Sequence, residues 1–302
     1  MSTVKVGVIG GSGLGQVLGD ATSGVRHEIQ TPFGPPSDAV TETEWHGLPV
    51  FVVSRHGPGH LRNPSEIPFR ANIFALKQLG VTHIIASGAV GSLREHLRPR
   101  DLVLCDQVID KTSRRAGTFY ERAAVHVEMA EPFCPVLRGI LAEAGREVAA
   151  AGGFQVHDRG CYVCMEGPAF STRAESHMHR LWGGDLIGMS AMPEARLARE
   201  AEIAYALVAL VTDYDCWKPH AGGQGPADKH ALLSEIISHL QTATNNAISM
   251  IRRAVELLAE RQDSLPPSPA HSALELAIWS DKSRIPPEHV QQLAPLWIKY
   301  FG

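Results

Sequence analysis

The run from Ile203 to Val211 carries no charged side chain and is rich in Val, Leu and Ala, and it closes on two acids, Asp213 and Asp215. A run of this kind reads as a buried strand. Carboxylates at the end of such a strand are costly unless they have work to do. Residues two apart on a strand share a face, so Asp213 and Asp215 can address one ligand together. Two acceptors aimed one way suit a partner bearing donors, such as the ring nitrogen and exocyclic amine of an adenine. The competing reading is an ordinary turn, where Asp is common.

Further apolar strands are expected at Val4 to Ile9, Pro49 to Ser54, His83 to Ser87, Asp101 to Val108 and Gly160 to Met165. Helical patterns fall between them, at Arg70 to Leu79, Pro135 to Ala151, Thr172 to Trp182 and Pro193 to Glu202. This alternation predicts an α/β fold with a parallel or mixed central sheet, and places the chemistry in loops at strand ends. A long amphipathic helix is expected from Lys229 to Arg261. At 302 residues the chain fits one large domain, residues 1–262, followed by a Pro-containing linker and aromatic tail, residues 263–302. That tail, with Trp279, Trp297, Tyr300 and Phe301, is too short to fold alone and must dock on the body or on a neighbouring subunit.

A net charge of -4 offers no basic footprint for nucleic acid. Five cysteines, an odd number without framework spacing, suit a reducing compartment. Cys161 and Cys164 form a C-x-x-C inside an apolar run with no second pair at zinc-ligand spacing, so they read as buried thiols in a strand. There is no stretch of about 18 apolar residues and no basic segment leading into one, which predicts a cytoplasmic protein without a membrane partner.

Three loops can present donors to an anion. Gly10-Gly-Ser-Gly-Leu-Gly15 follows the first strand and offers backbone N–H groups and the Ser12 hydroxyl. It lacks the third glycine of a dinucleotide fingerprint, where Gln16 stands, and it lacks the G-K-[ST] of the NTPase loop. In Ser54-Arg-His-Gly-Pro-Gly-His60, Arg55 has a planar fork for phosphate oxygens, and His56 or His60 can add a donor. Ser87-Gly-Ala-Val-Gly-Ser92 is the third, a small-residue loop offering Ser87 and backbone amides at Gly88 and Ala89. Farther on, Phe170 in a Gly-Pro loop can stack on a flat base, and Met189 can wall a sugar. The competing reading, which a single aromatic or Met favours, is ordinary core.

Taken in order, GGSGL at 10–14, TPFGPPSD at 31–38, RHGPGH at 55–60, ANIFALK at 71–77, GSLRE at 91–95, MAEPFCP at 129–135, EGPAFSTRAES at 166–176 and TDYDCWK at 212–218 resemble the purine nucleoside phosphorylase superfamily. The resemblance covers roughly residues 4 to 220. It implies a three-layer α/β fold whose mixed sheet closes toward a barrel, commonly assembled as a homotrimer. The implied reaction is phosphorolysis, in which phosphate attacks the anomeric carbon and releases free purine and a ribose-1-phosphate. Inorganic phosphate is then a co-substrate, and no metal or organic cofactor is needed.

Carried over by motif position, Ser12, Arg55, His56, Ser87, Gly88, Ala89 and Ser190 would hold phosphate. Met189 would line the ribose and Phe170 would stack near the base. Asp213 would sit at the purine N7 and Asp215 near the exocyclic amine, while His126 would reach a neighbour's site. Gly88 departs from the pattern, because the members that act on methylthioadenosine often carry threonine there. His230 falls near the position that reads the 5′ substituent, after a lid-like segment from Pro219 to Pro226. The acids favour a 6-amino purine without fixing the 5′ substituent, and the resemblance together with that pair makes methylthioadenosine the expected nucleoside. Adenosine or a 6-oxopurine nucleoside is the alternative within enzymes, and a non-catalytic nucleoside-binding domain the alternative outside them. In this chemistry the departing base gathers negative charge that protonation of N7 relieves, which makes Asp213 the candidate general acid and Asp215 its coupled partner.

Overall fold

The computed structural model describes residues 4–11, 24–218 and 226–301. Its described strands are β1 (Val6–Gly10), β2 (Val25–His27), β3 (Val40–Trp45), β4 (Leu48–Ser54), β5 (His83–Ser92), β6 (Leu102–Leu104), β7 (Gln107–Asp110), β8 (Val156–His157), β9 (Cys161–Cys164), β10 (Leu186–Gly188) and β11 (Ala204–Tyr214). The described α-helices are α1 (Phe69–Gln78), α2 (Pro135–Gly152), α3 (Arg173–Leu181), α4 (Ala191–Glu200), α5 (Pro226–Arg261), α6 (Pro287–Gln292) and α7 (Ala294–Trp297).

The unbroken apolar run of β11 has a direct cause. Tyr205, Leu207, Ala209 and Val211 face one hydrophobic core, and Ala204, Ala206, Val208 and Leu210 face a second. Successive strand side chains point to opposite faces, so a strand covered on both sides must be apolar at every position. The first core is closed by α1 and α4, through residues such as Phe74 and Leu197. The second is closed by α2 and α5, through Leu141 and Met250 among others. The result is a helix, sheet, helix arrangement around a mixed sheet.

Four strands run parallel at its centre in the order β4, β1, β5, β11. Beyond them β10 is antiparallel to β5, and β9 and β7 follow in parallel. Antiparallel β6 covers the far edge of β11. Because β6 and β7 are separated only by Cys105 and Asp106, the sheet curls back toward a barrel. Among the described strands no ladder joins β6 to β7, so the sheet is not closed.

Two expectations need correction here. The stretch from Asp101 to Val108 is not one strand: it breaks at Cys105–Asp106, where Asp106 accepts the Gly160 N–H and the chain changes partner from β11 to β9. Ser87 to Ser92 is not a loop but the second half of β5, held in register from Val208 to Tyr214 of β11. The small side chains read as a turn because no local signal reports that pairing. Short strands β2, β3, β8 and β10 were likewise not expected, since two to six residues carry little periodicity of their own.

Residues 269–301 pack on the body of the same chain. Trp297 is fully buried, its ring tilted against Tyr120 at 4.7 Å, and donates its indole N–H to the Val290 carbonyl. Glu202 accepts from the Leu274 N–H and the Tyr300 hydroxyl through one oxygen and pairs with Lys299 through the other.

Trp297→Ala is expected to destabilise the chain by about 3–5 kcal/mol, the usual cost of emptying a large aromatic site, measured by chemical denaturation. Glu200, at the end of α4, gives a pH signature. Burial pushes its carboxyl up to about 7 from 4.5, although it accepts from the Phe119 N–H and Thr118 hydroxyl. The folded chain therefore keeps a proton that the unfolded chain has released. Glu200 thus subtracts stability as pH rises from about 4.5 to about 7, and Glu200→Gln is expected to flatten that part of a melting-temperature profile against pH.

Candidate active site

Strand β5 is paired with β11 along its whole length on one edge. On its other edge β1 pairs only His83 to Ala86, and β10 pairs only Gly91 and Ser92. Ser87 to Val90 are left as an open edge in the middle of the sheet. Such a gap at the carboxyl ends of parallel strands is where α/β sheets bind ligands. The described elements around it are the end of β1 at Gly10 and Gly11, the turn after β4 and the segment after β10.

At one end stands Arg55. Its backbone N–H donates to the Gly10 carbonyl, which brings the β4 turn against the end of β1. The side chain is fully buried and makes a bidentate pair with Glu194 of α4, Nε to Oε2 at 2.8 Å and Nη2 to Oε1 at 2.8 Å. Its Nη1 donates to the Ser87 carbonyl at 2.7 Å, and Tyr205 of β11 donates its hydroxyl to Glu194. Burial works against the guanidinium charge, and the Glu194 carboxylate more than offsets it. Three of the five N–H donors are thereby used among the described residues. Gly11 must be small here, because a Cβ would lie 2.8 Å from both Arg55 Nη1 and the Ser87 oxygen. Gly88 has the same logic, since a Cβ there would lie 3.0 Å from the Ser190 hydroxyl. Arg55, Ser87, Gly88 and Ser190 are thus brought together, with Ala89 next along the same edge.

His56 is less simple than a donor. Burial first, then the charge of Arg55 and the neighbouring His60, push it down to about 4. Its Nδ1 lies 2.8 Å from the Arg62 carbonyl and its ring stacks on His60 at 4.0 Å. A carbonyl only accepts, so Nδ1 carries the hydrogen and neutral Nε2 carries a lone pair. Toward phosphate, His56 accepts from the protonated monoanion or must itself be protonated.

The acids lie at the other end. Asp213 is in register with Gly91 of β5 after a bulge at Thr212, and the Thr212 hydroxyl donates to it at 2.6 Å. Asp215 follows the end of β11, is buried, and packs over the same glycine; a Cβ on Gly91 would meet the Asp215 Cβ at 3.3 Å. The bulge thus gathers both carboxylates about one point of β5. Ser87 and Gly91 are four positions apart, or about 13 Å along a strand.

Two atoms at these ends have no partner among the described residues, the Ser87 hydroxyl and Asp215 Oδ2. A buried polar atom left unpaired costs about 1–3 kcal/mol, so each marks a place where a ligand group is wanted. Between them lie Met189 and Ser190. Met189 is half-buried and Phe170 is 85% exposed, so neither is a core residue. The Met189 side chain lies against Gly167, whose φ of 69° suits glycine and which leads into the Phe170 loop.

Other positions fall outside this cluster. His126 is exposed on the surface of its own chain, where its ring packs on Trp279 at 4.6 Å. His230 is exposed in the first turns of α5, and Ser234 donates to its carbonyl. Ser12 and most of the lid-like segment, residues 219–225, lie outside the described residues. Sequence reasoning assigned no role to Glu194, Tyr162, Thr212, Arg115 or His239. Tyr162 accepts the Ser190 N–H, and the His239 ring donates from Nδ1 to the Thr212 carbonyl at 2.9 Å, tying α5 to the bulge. For His239 a signal existed, a polar residue beside Leu240 on the inner face of an amphipathic helix. Among the described residues no group of three or more His, Cys, Asp or Glu is placed to hold a metal ion, and no helix is long and apolar enough to cross a membrane.

The sequence pattern of the phosphorylase superfamily matches residues 5–256. S-methyl-5′-thioadenosine phosphorylase of Gloeobacter violaceus is 46% identical over 297 residues, which is 98% of this chain and 96% of that protein. Among solved structures, a methylthioadenosine phosphorylase sourced from an antarctic soil metagenomic library is similar at a TM-score of 0.86 and 45% identity, over 98% of this chain and 99% of the other. The methylthioadenosine phosphorylase from Schistosoma mansoni in complex with adenine is similar at a TM-score of 0.82 and 36% identity, over 91% of this chain and 99% of the other.

Glu194→Gln leaves the buried Arg55 cation without its counter-charge. The expected outcome is a loss of about 3–5 kcal/mol in unfolding free energy, measured by urea denaturation, which exceeds what the pair contributes over an apolar replacement.

Proposed function

Because the chain belongs to the phosphorylase superfamily, we propose that it catalyses phosphorolysis of S-methyl-5′-thioadenosine to adenine and 5-methylthioribose-1-phosphate. The observation that carries the reading is the pair of unsatisfied atoms at the two ends of the open edge of β5. The Ser87 hydroxyl stands beside a buried cation, and Asp215 Oδ2 is a bare acceptor roughly 13 Å along the strand. An anion bound at one end and a base carrying an amine at the other satisfy both. The names of the similar proteins, and the adenine in one of them, agree with a 6-amino purine.

In the proposed reaction phosphate sits on Arg55, Ser87, the backbone of Gly88 and Ala89, and Ser190, and Ser12 is assigned to it by motif position. A phosphate oxygen attacks the anomeric carbon as its bond to purine N9 breaks. The sugar passes through an oxocarbenium-like state that the phosphate charge stabilises, and the charge gathered by the base is relieved by a proton delivered to N7 from Asp213. The hydrogen bond from Thr212 fixes that carboxyl, and Asp215 accepts from the exocyclic amine. Met189 walls the ribose, and Phe170, on an exposed loop, stacks at the base. No metal or organic cofactor enters the proposed steps. The proposal places the enzyme in the cytoplasm as a homotrimer, where exposed His126 is free to reach a neighbour's site. We assign the 5′ preference to the methylthio group on the names of the similar proteins, with no role for His230.

The test is an assay of adenine release from methylthioadenosine, adenosine, methylthioinosine and inosine, with and without phosphate. Strict phosphate dependence with methylthioadenosine preferred is expected, and Asp213→Asn is expected to lose roughly a hundredfold or more in kcat. Turnover that proceeds equally well without phosphate would sink the proposal.

A further inference from the structure

Arg115 follows β7 and is almost wholly buried, with a side chain 1% exposed. All five of its N–H donors are engaged, and every acceptor lies on one of two segments. Nε donates to Glu166 Oε1 at 3.1 Å, and Nη2 to the Glu166 and Met165 carbonyls at 2.7 and 3.4 Å. Nη1 donates to the Met189 and Met192 carbonyls at 2.7 and 2.6 Å. The first segment leaves β9 and leads to Phe170, and the second leaves β10 and carries Met189 and Ser190. The two segments are also joined by the Met165 N–H to the Gly188 carbonyl and by the Cys164 thiol of β9, which bonds the Met192 N–H and carbonyl, and Arg115 adds a single side chain that bonds the carbonyls of both walls of the gap.

The hub is itself anchored. Glu166 accepts from the Ser65 hydroxyl at 2.6 Å and from the Ser113 and Arg114 N–H groups at 2.6 and 3.0 Å. Burial works to raise its carboxyl, and these donors together with Arg115 outweigh it and hold it down at about 2, so it stays charged at any working pH. A planar fork with five donors suits four carbonyls and a carboxylate; a lysine has three donors and no fork.

We infer that Arg115 is a positioning residue for the nucleoside, setting Met189 and the Phe170 loop at the spacing that sugar and base require, while phosphate is held chiefly by Arg55, fixed on Glu194, and by β5, with Ser190 its contact on a segment that Arg115 holds. This rests on the proposed phosphorolysis. Binding geometry displaced by about 1 Å can cost orders of magnitude in rate, so a loosened hub is expected to be felt at the nucleoside end first.

Two variants test it, Arg115→Lys, which keeps the charge and the stem, and Glu166→Gln, which loosens the hub from outside. For each, KM is measured separately for methylthioadenosine and for phosphate, with hydrogen exchange followed by mass spectrometry over residues 165–172 and 186–192. The expected result is a nucleoside KM raised roughly tenfold or more with phosphate KM within about twofold, and faster exchange in both segments together. A parallel rise in both KM values, or unchanged KM values accompanied only by less folded protein, overturns the inference, as does exchange that alters in neither segment or only one. If the unaltered enzyme releases no purine with phosphate, the proposed reaction has failed. The exchange result then still decides whether Arg115 holds the two segments.

Discussion

The buried pair of Arg55 and Glu194 is the contact on which the rest of the site depends. It joins the turn after β4 to α4, while the same guanidinium reaches Ser87 of β5 and the same carboxylate receives the Tyr205 hydroxyl of β11. Four elements distant in sequence therefore meet at two side chains. A buried ion pair is a weak source of stability, since removing both charges from water costs several kcal/mol per ion. Its use here is positional. It fixes one cation at the mouth of a gap in the sheet, and it prevents that cation from collapsing onto solvent.

The gap follows from strand lengths. β1 ends opposite Ala86, β10 begins opposite Gly91, and the residues of β5 between them have a partner on one edge only. An unpaired edge inside a molecule is expensive for the backbone, and its groups are satisfied by side chains or by a ligand. Arg55 takes one of these, the Ser87 carbonyl. The bulge at Thr212 then turns the end of β11 so that both acids gather at Gly91, as bulges commonly re-aim side chains beside sites.

Much of this was legible in the residues. The two-sided burial of β11 shows as an apolar run, and the helix starts and ends fall within a few residues of the observed ones, from Phe69–Gln78 against Arg70 to Leu79 to Pro226–Arg261 against Lys229 to Arg261. The glycine turn, the Arg-His turn and the small-residue stretch could each be picked out as anion-friendly. What could not be read was their mutual arrangement. Glu194 lies 139 positions from Arg55, and nothing near either residue names the other. Arg115 sits in a polar stretch, Ser113-Arg-Arg-Ala-Gly117, that reads as solvated surface, yet its side chain is buried and fully bonded.

By itself the sequence determined the longer strands and helices, that the stretch from Ile203 to Val211 is a buried strand, and that two carboxylates close it. Those follow from local rules, namely side-chain periodicity and the cost of burying charge. Only the tertiary structure decided that Ser87 to Ser92 is strand and not loop, that the cation beside Ser87 is already half spent on Glu194, and that His56 is neutral with its hydrogen committed to Arg62. Each is a matter of which distant group arrives as partner and whether water is excluded when it does. Neither is encoded in the neighbours along the chain.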